Sequence, residues 1–150
     1  MHYNKEVKGK HTPPLLHGVF MSSAVSRIPV ATSAKALAHF ENLLANETDC
    51  WDVNHAICNE RQDFVLLDVR GEESFEKGHL PNAINLPNWK VKGPALETYP
   101  KDTLFVVYCA GPHCNGADKA AVHLAKLGRP VKKMIGGVTG WIDEGFELVT

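Results

Sequence analysis

Two short, nearly unbroken apolar runs most constrain what this chain can fold into. They are Phe64-Val65-Leu66-Leu67-Asp68-Val69 and Leu104-Phe105-Val106-Val107-Tyr108. A strand with one wet face alternates apolar and polar residues, and these runs do not alternate. Both faces must therefore be covered, which is the condition of a strand inside a parallel sheet flanked by helices. The rest of the pattern agrees. A short polar helix is predicted at Glu72 to Lys77, and Ala83-Ile84-Asn85-Leu86 reads as a strand. Ala117, Ala120, Ala121, Leu124 and Leu127 keep helical spacing until Gly128 ends that helix. Val131 to Ile135 is a further strand, and Val138 to Glu144 a last short helix after Gly136-Gly137. Residues 87–103, rich in proline and lysine, read mostly as loop. The order β-α-β-β-α-β-α predicts a three-layer α/β/α domain around a mostly parallel sheet of about five strands.

An extra helix precedes this unit. Leu37, Phe40, Leu43 and Leu44 share one face of a helix over residues 33–46, with Thr32 or Ser33 as its cap. Cys50-Trp51 then reads as a short strand. Asp52 reads as the cap of a second helix that turns Val53, Ala56 and Ile57 inward. Residues 1–31 are set apart as an N-terminal extension, expected to be partly disordered, and 32–150 as the folded domain. Residues 7–40 carry no acidic side chain, but the apolar patch Leu15 to Met21 is broken by His17 and Gly18, unlike a signal peptide core. From a second methionine, Met21, residues 1–20 are expected to be an upstream-start extension or a cloning remnant. No apolar run reaches the length of a membrane-crossing helix. A net charge of -1 leaves no electrostatic footprint for nucleic acid or an anionic membrane. Four cysteines (Cys50, Cys58, Cys109, Cys114) are too few and too unevenly spaced for a disulfide scaffold, so reduced thiols in a cytoplasmic protein are expected.

The chemistry is expected where the second apolar run ends. Open α/β sheets place their sites at the carboxyl ends of strands. Here the strand runs into Cys109, then Ala110-Gly111-Pro112-His113-Cys114-Asn115-Gly116, then a helix. Converging N–H groups in such a loop, with a helix N-terminus behind them, favour an anion. A cysteine placed there is expected to have a lowered pKa and to act as a thiolate nucleophile.

From Trp51 to Phe146 the chain resembles a rhodanese-like domain. Four blocks carry the likeness in order: Leu67-Asp68-Val69-Arg70 with Glu73 and Phe75; Gly78-His79-Leu80-Pro81-Asn82-Ala83-Ile84-Asn85-Leu86-Pro87; Tyr108-Cys109 entering a loop and an alanine-rich helix; and Gly136-Gly137 with Trp141. The resemblance implies a sulfurtransferase. Cys109 would take a sulfane sulfur, such as that of thiosulfate, as a persulfide, and pass it to cyanide or a thiol. The N–H groups of Ala110 through Asn115 would cradle the anion. A sulfur-carrier or interaction module working with a protein donor or acceptor shares the same nucleophile. The loop also departs from the compact family pattern, which often has glycine three residues after the cysteine and a basic residue two further on. Pro112 and Cys114 stand there instead, and Ala120-Ala121 comes about two residues late, so the loop is longer. Longer loops in the superfamily resemble those of Cdc25-type phosphatases and arsenate reductases, which use an arginine after five intervening residues. That position is Asn115, and no arginine lies between Arg70 and Arg129, which ranks oxyanion chemistry below sulfur transfer.

The remaining candidates are weighed by position. Cys114 is a candidate resolving thiol, or a residue packed at the helix start. His113 can face a bound anion or solvent. Lys119, in the first helical turn, can add positive field. Asp68 and Arg70 end the first apolar strand near the expected rim, where an ion pair holding the loop is favoured over substrate contact. His79 reads as a structural histidine, and Trp141 as a core anchor. Cys109, His113 and Cys114 lack a fourth ligand and paired knuckles for zinc, so no metal or other cofactor is expected. Cys50 and Cys58 read as small apolar fillers, not expected to share one helix.

Overall fold

The two apolar runs form the middle of a five-stranded sheet in a computed structural model that describes residues 22–150. The elements are α1 (Ser33–Asn46), β1 (Glu47–Thr48), α2 (Cys50–Cys58), β2 (Val65–Asp68), α3 (Glu72–Lys77) and β3 (Ile84–Asn85). A 3-10 turn (Asn88–Lys90), α4 (Gly93–Leu96), β4 (Phe105–Tyr108), α5 (Gly116–Lys126), β5 (Val131–Met134) and α6 (Gly137–Asp143) follow. The strand order is β1-β5-β4-β2-β3, and every pairing is parallel. β4 lies at the centre, with Val65 to Asp68 of β2 registered on Phe105 to Tyr108, and Phe105 to Val107 registered on Val131 to Lys133 of β5.

Strand alternation sorts the runs into two cores. Leu67, Phe105 and Val107 face α5, packing with Leu96, Ala117, Ala120 and Leu124. Leu66, Val106 and Tyr108 face the other way, against Val53 of α2 and Trp141 of α6. The absence of polar alternation in the sequence is thus burial on both faces, as a covered parallel sheet requires. Cys109 continues the alternation and falls on the α5 side.

Several local expectations are corrected. The strand expected at Cys50-Trp51 is Glu47–Thr48, paired to Lys133 and Met134. Asp49, not Asp52, caps α2: its carboxylate accepts from the Asp52 N–H at 2.8 Å. Both aspartates have cap chemistry, and the one adjoining the β1 turn takes the role. Cys50 and Cys58 therefore do share one continuous helix. Eight residues overshoot two turns by about 80°, so Cys50 is buried while Cys58 is exposed and fills nothing. Residues 87–103 hold the 3-10 turn and α4, whose Leu96 joins the α5-side core with Val91. Buried Arg129 fastens this connection, donating to the carbonyls of Leu96 (2.7 Å), Tyr99 (3.1 Å) and Pro100 (2.6 Å).

α1 is capped by Thr32, as expected, but none of its residues is buried. Phe40 and Leu44 remain 59% and 72% exposed, so its apolar stripe is not part of either core. Residues 22–31 are exposed throughout and turn at Ser23–Ser26. The apolar patch at 15–21 and the extension 1–20 lie outside the described residues.

Candidate active site

β4 delivers Cys109 to the carboxyl edge of the sheet, where two helix starts meet. The Gly136-Gly137 turn, with φ of +87° and +59°, brings α6 against the backbone that follows β4. The Val138 N–H donates to the Cys109 carbonyl at 3.1 Å, and the Thr139 N–H to the Ala110 carbonyl at 2.9 Å. The Thr139 hydroxyl adds a second donor to Ala110 at 3.1 Å. A Cβ on Gly137 would collide with the Cys109 carbonyl and approach the Gly111 nitrogen to 2.8 Å. Only glycine permits both this φ and this contact.

The other wall is α5. The Cys114 N–H turns back onto the Gly111 carbonyl at 3.1 Å, and α5 begins two residues later. A Cβ on Gly116 would lie 2.8 Å from the Cys109 sulfur and 3.5 Å from that of Cys114. Gly116 thus leaves room for two sulfurs, and the two Sγ atoms are 2.6 Å apart. The N–H groups of Ala110 and Gly116 are directed at this pair. The Cys114 N–H, spent on Gly111, is not available to a cradle running from Ala110 through Asn115.

The electrostatics differ from the sequence expectation. Cys109 is 7% exposed. Burial, helped by its hydrogen bond with Cys114, pushes its thiol up to about 11 instead of lowering it. Cys114 is the thiol held below the usual range. It accepts the hydrogen bond from Cys109, the N–H groups of Gly116 and Ala110 point at it, and Lys119 adds positive charge. The helix-start field acts on the pair, and the less buried sulfur carries the negative charge.

A cavity of about 190 Å³ opens over the pair, lined by Cys109, Gly111, Cys114, Ala117, Lys133 and Gly137 among others. Pro112, His113 and Asn115 are exposed on the loop, and Lys119 is exposed on α5 outside this lining. The lysine that does line the cavity is Lys133 of β5. It pairs with Asp118 at 2.9 Å, which raises its pKa, and lies 3.7 Å from Glu47. Nothing in the pattern of β5 distinguished it, because a strand residue's face is set by pairing. Asn88 was also missed. It lies in the stretch read as loop, and its amide nitrogen would be 3.6 Å from a Cβ on Gly116.

Asp68 and Arg70 stand apart from the sulfurs. Asp68 is fully buried on the α2/α6 side, where its carboxylate accepts from Tyr108 Oη at 2.7 Å. Arg70 Nη2 donates to Asp68 at 2.7 Å and to the Gly78 carbonyl at 2.7 Å. This is the favoured structural ion pair, holding the β2 end to the block that follows α3. His79 stacks on Phe75 at 3.7 Å and bonds its carbonyl, and Trp141 donates to Glu147 from within the core. Among the described residues, no three His, Cys, Asp or Glu side chains converge as metal ligands. No helix among them is long and apolar enough to cross a membrane.

Known proteins resemble this arrangement. The rhodanese-like domain model matches residues 53–144. The thiosulfate sulfurtransferase GlpE of Coxiella burnetii is 32% identical over 83 residues, 55% of this chain and 75% of that protein. The HTH-type transcriptional regulator Rv0324 of Mycobacterium tuberculosis is 34% identical over 92 residues, 57% of this chain. The chain spans only 40% of that relative's length. The crystal structure of the BH2092 protein from Bacillus halodurans superposes with a TM-score of 0.76 at 35% identity, covering 79% of this chain and 86% of that one.

Proposed function

The chain belongs to the rhodanese-like domain family, and from that premise we propose that it is a sulfurtransferase that forms a persulfide on Cys109. One observation carries this reading most. Cys109 ends the central strand inside a loop held between the starts of α5 and α6, whose N–H groups fasten the Cys109 and Ala110 carbonyls, and its sulfur lines the cavity there. Cys109 gives its proton to the Cys114 thiolate 2.6 Å away, its sulfur attacks the sulfane sulfur of a small anionic donor of the thiosulfate class, and sulfite leaves. The N–H groups of Ala110 and Gly116, the α5 start and Lys133 receive the anion. A thiol or cyanide then takes the outer sulfur. The functional unit is residues 32–150, with α1 preceding the matched stretch.

The oxyanion-chemistry alternative has less support. A phosphate or arsenate dianion needs a fork of donors. The loop supplies none, and Arg70 is committed to Asp68 and Gly78. The test gives the purified protein thiosulfate with cyanide, and separately an aryl phosphate. Thiocyanate formation that disappears in Cys109→Ala, with the fold intact by circular dichroism, is the expected result. Phosphate release without thiocyanate, or full activity in Cys109→Ala, overturns the reading.

A further inference from the structure

The family-type reaction needs one cysteine, and this site holds two. Cys114 Sγ lies 2.6 Å from Cys109 Sγ, within reach for attack without rearrangement of the loop. Gly116 keeps the space beside the Cys109 sulfur open, since a Cβ there would press on it at 2.8 Å and touch the Cys114 sulfur at 3.5 Å. Cys114 is partly exposed and lines the same cavity as Cys109, so a small product formed between them has a way out. The other two thiols are elsewhere. Cys50 is packed in the opposite core and directed at the Ile135 and Gly137 carbonyls, and Cys58 is exposed on α2.

Resting on the persulfide reading above, we infer that Cys114 is a resolving thiol: it attacks the Cys109 persulfide, releases sulfide and leaves a Cys109–Cys114 disulfide. In the first step the Cys109 thiol gives its proton to the Cys114 thiolate across the 2.6 Å contact, displaces sulfite from the donor and holds the sulfane sulfur as a persulfide anion. In the second, Cys114 Sγ forms a bond to Cys109 Sγ and gives its proton to the departing outer sulfur. The bond from Cys109 to the outer sulfur breaks, and its electron pair leaves with hydrosulfide. The sulfane sulfur is reduced to sulfide while the two cysteines are oxidised to a disulfide. An external dithiol reductant then exchanges with that disulfide, restoring both thiols and becoming a disulfide itself. The net reaction converts thiosulfate and a dithiol into sulfite, sulfide and the oxidised dithiol. The cavity opening beside exposed Pro112, which lines it together with both cysteines, is the face such a reductant approaches.

The test uses the reduced protein, freed of external thiol and given thiosulfate once. Sulfite, sulfide and intact mass are read together, with peptide mapping of the modified cysteines. The expected result is one sulfite and one sulfide per chain, with a product lighter by two hydrogens and a mapped Cys109–Cys114 link. In Cys114→Ser, sulfide falls to background and the product is instead heavier by one sulfur on Cys109. A wild-type chain that keeps the added sulfur on Cys109 and releases no sulfide overturns the resolving role and leaves the persulfide reading standing. An added sulfur mapped to Cys114 also overturns it, because the thiol then attacks the outer sulfur. No sulfite from either protein overturns both readings. The wild-type measurement decides even if the variant fails to fold.

Discussion

Gly137→Ala tests whether the close approach of α6 is what holds the Cys109 loop. Two costs are separable. At a φ of +59° an L-residue sits in the left-handed region, which costs roughly 1–2 kcal/mol. In addition, the new Cβ would press on the Cys109 carbonyl, Gly111 N at 2.8 Å and Ala110 C at 3.0 Å, all of them backbone. Relief requires α6 to withdraw, which breaks the bonds from Val138 and Thr139 to the loop carbonyls. Each is worth about 0.5–1.5 kcal/mol net. The expected total is about 2–5 kcal/mol. Gly128→Ala is the matched control, because Gly128 has a φ of +72° and nothing within 4 Å of a Cβ. It should lose only the left-handed cost, about 1–2 kcal/mol. Urea denaturation of both variants reads the difference, and with a slope of about 1–3 kcal/mol/M the midpoints separate measurably. A loop displaced by about 1 Å should also slow the sulfite burst on the order of a hundredfold, while Gly128→Ala keeps it. Equal midpoints and equal bursts for the two variants would refute the reasoning.

Three further outcomes follow from the same contacts. Asp68→Asn leaves the largely buried Arg70 guanidinium uncompensated and should cost about 3–5 kcal/mol, and Tyr108→Phe, losing its bond to the Asp68 carboxylate and the one it accepts from the Leu80 N–H, should cost about 2–4 kcal/mol; denaturant midpoints check both. Because Cys114 is held below the usual thiol range and Cys109 is pushed up to about 11, brief iodoacetamide treatment near neutral pH should label Cys114 first. Peptide mapping that finds Cys109 labelled ahead of it contradicts the assignment of charge. Burial, with the nearby charges of Asp49 and Glu144, likewise raises Cys50 from 9.0 to about 11 in the folded chain. The stability this thiol contributes is complete below pH 9 and is lost as pH rises through 11. Cys50→Ala should flatten the alkaline fall in stability over that window, as read by unfolding midpoints.

The layered fold was legible in the sequence because its signal is local. Val65–Asp68 and Phe105–Tyr108 lack polar alternation, and only burial on both faces accounts for that. The place of Cys109, at a strand end before a helix, follows from the same one-dimensional pattern. Local pattern alone did not settle two points. The stripe of α1 is amphipathic in sequence yet lies outside both cores, since periodicity gives a face and not what covers it. Asp52 and Asp49 have equal cap chemistry, and the turn out of β1 selected Asp49. What tertiary structure alone decided is the electrostatics of the site. The sequence placed a thiol at a helix start and implied a lowered pKa. Packing then buried Cys109 and folded the loop so that Cys114 faces it at 2.6 Å, which moves the negative charge to the more exposed sulfur. Lys133 and Asn88 reach the site only through strand pairing and the turn after β3. Their roles depend on distances across the sheet and between elements, and no residue spacing along the chain encodes those.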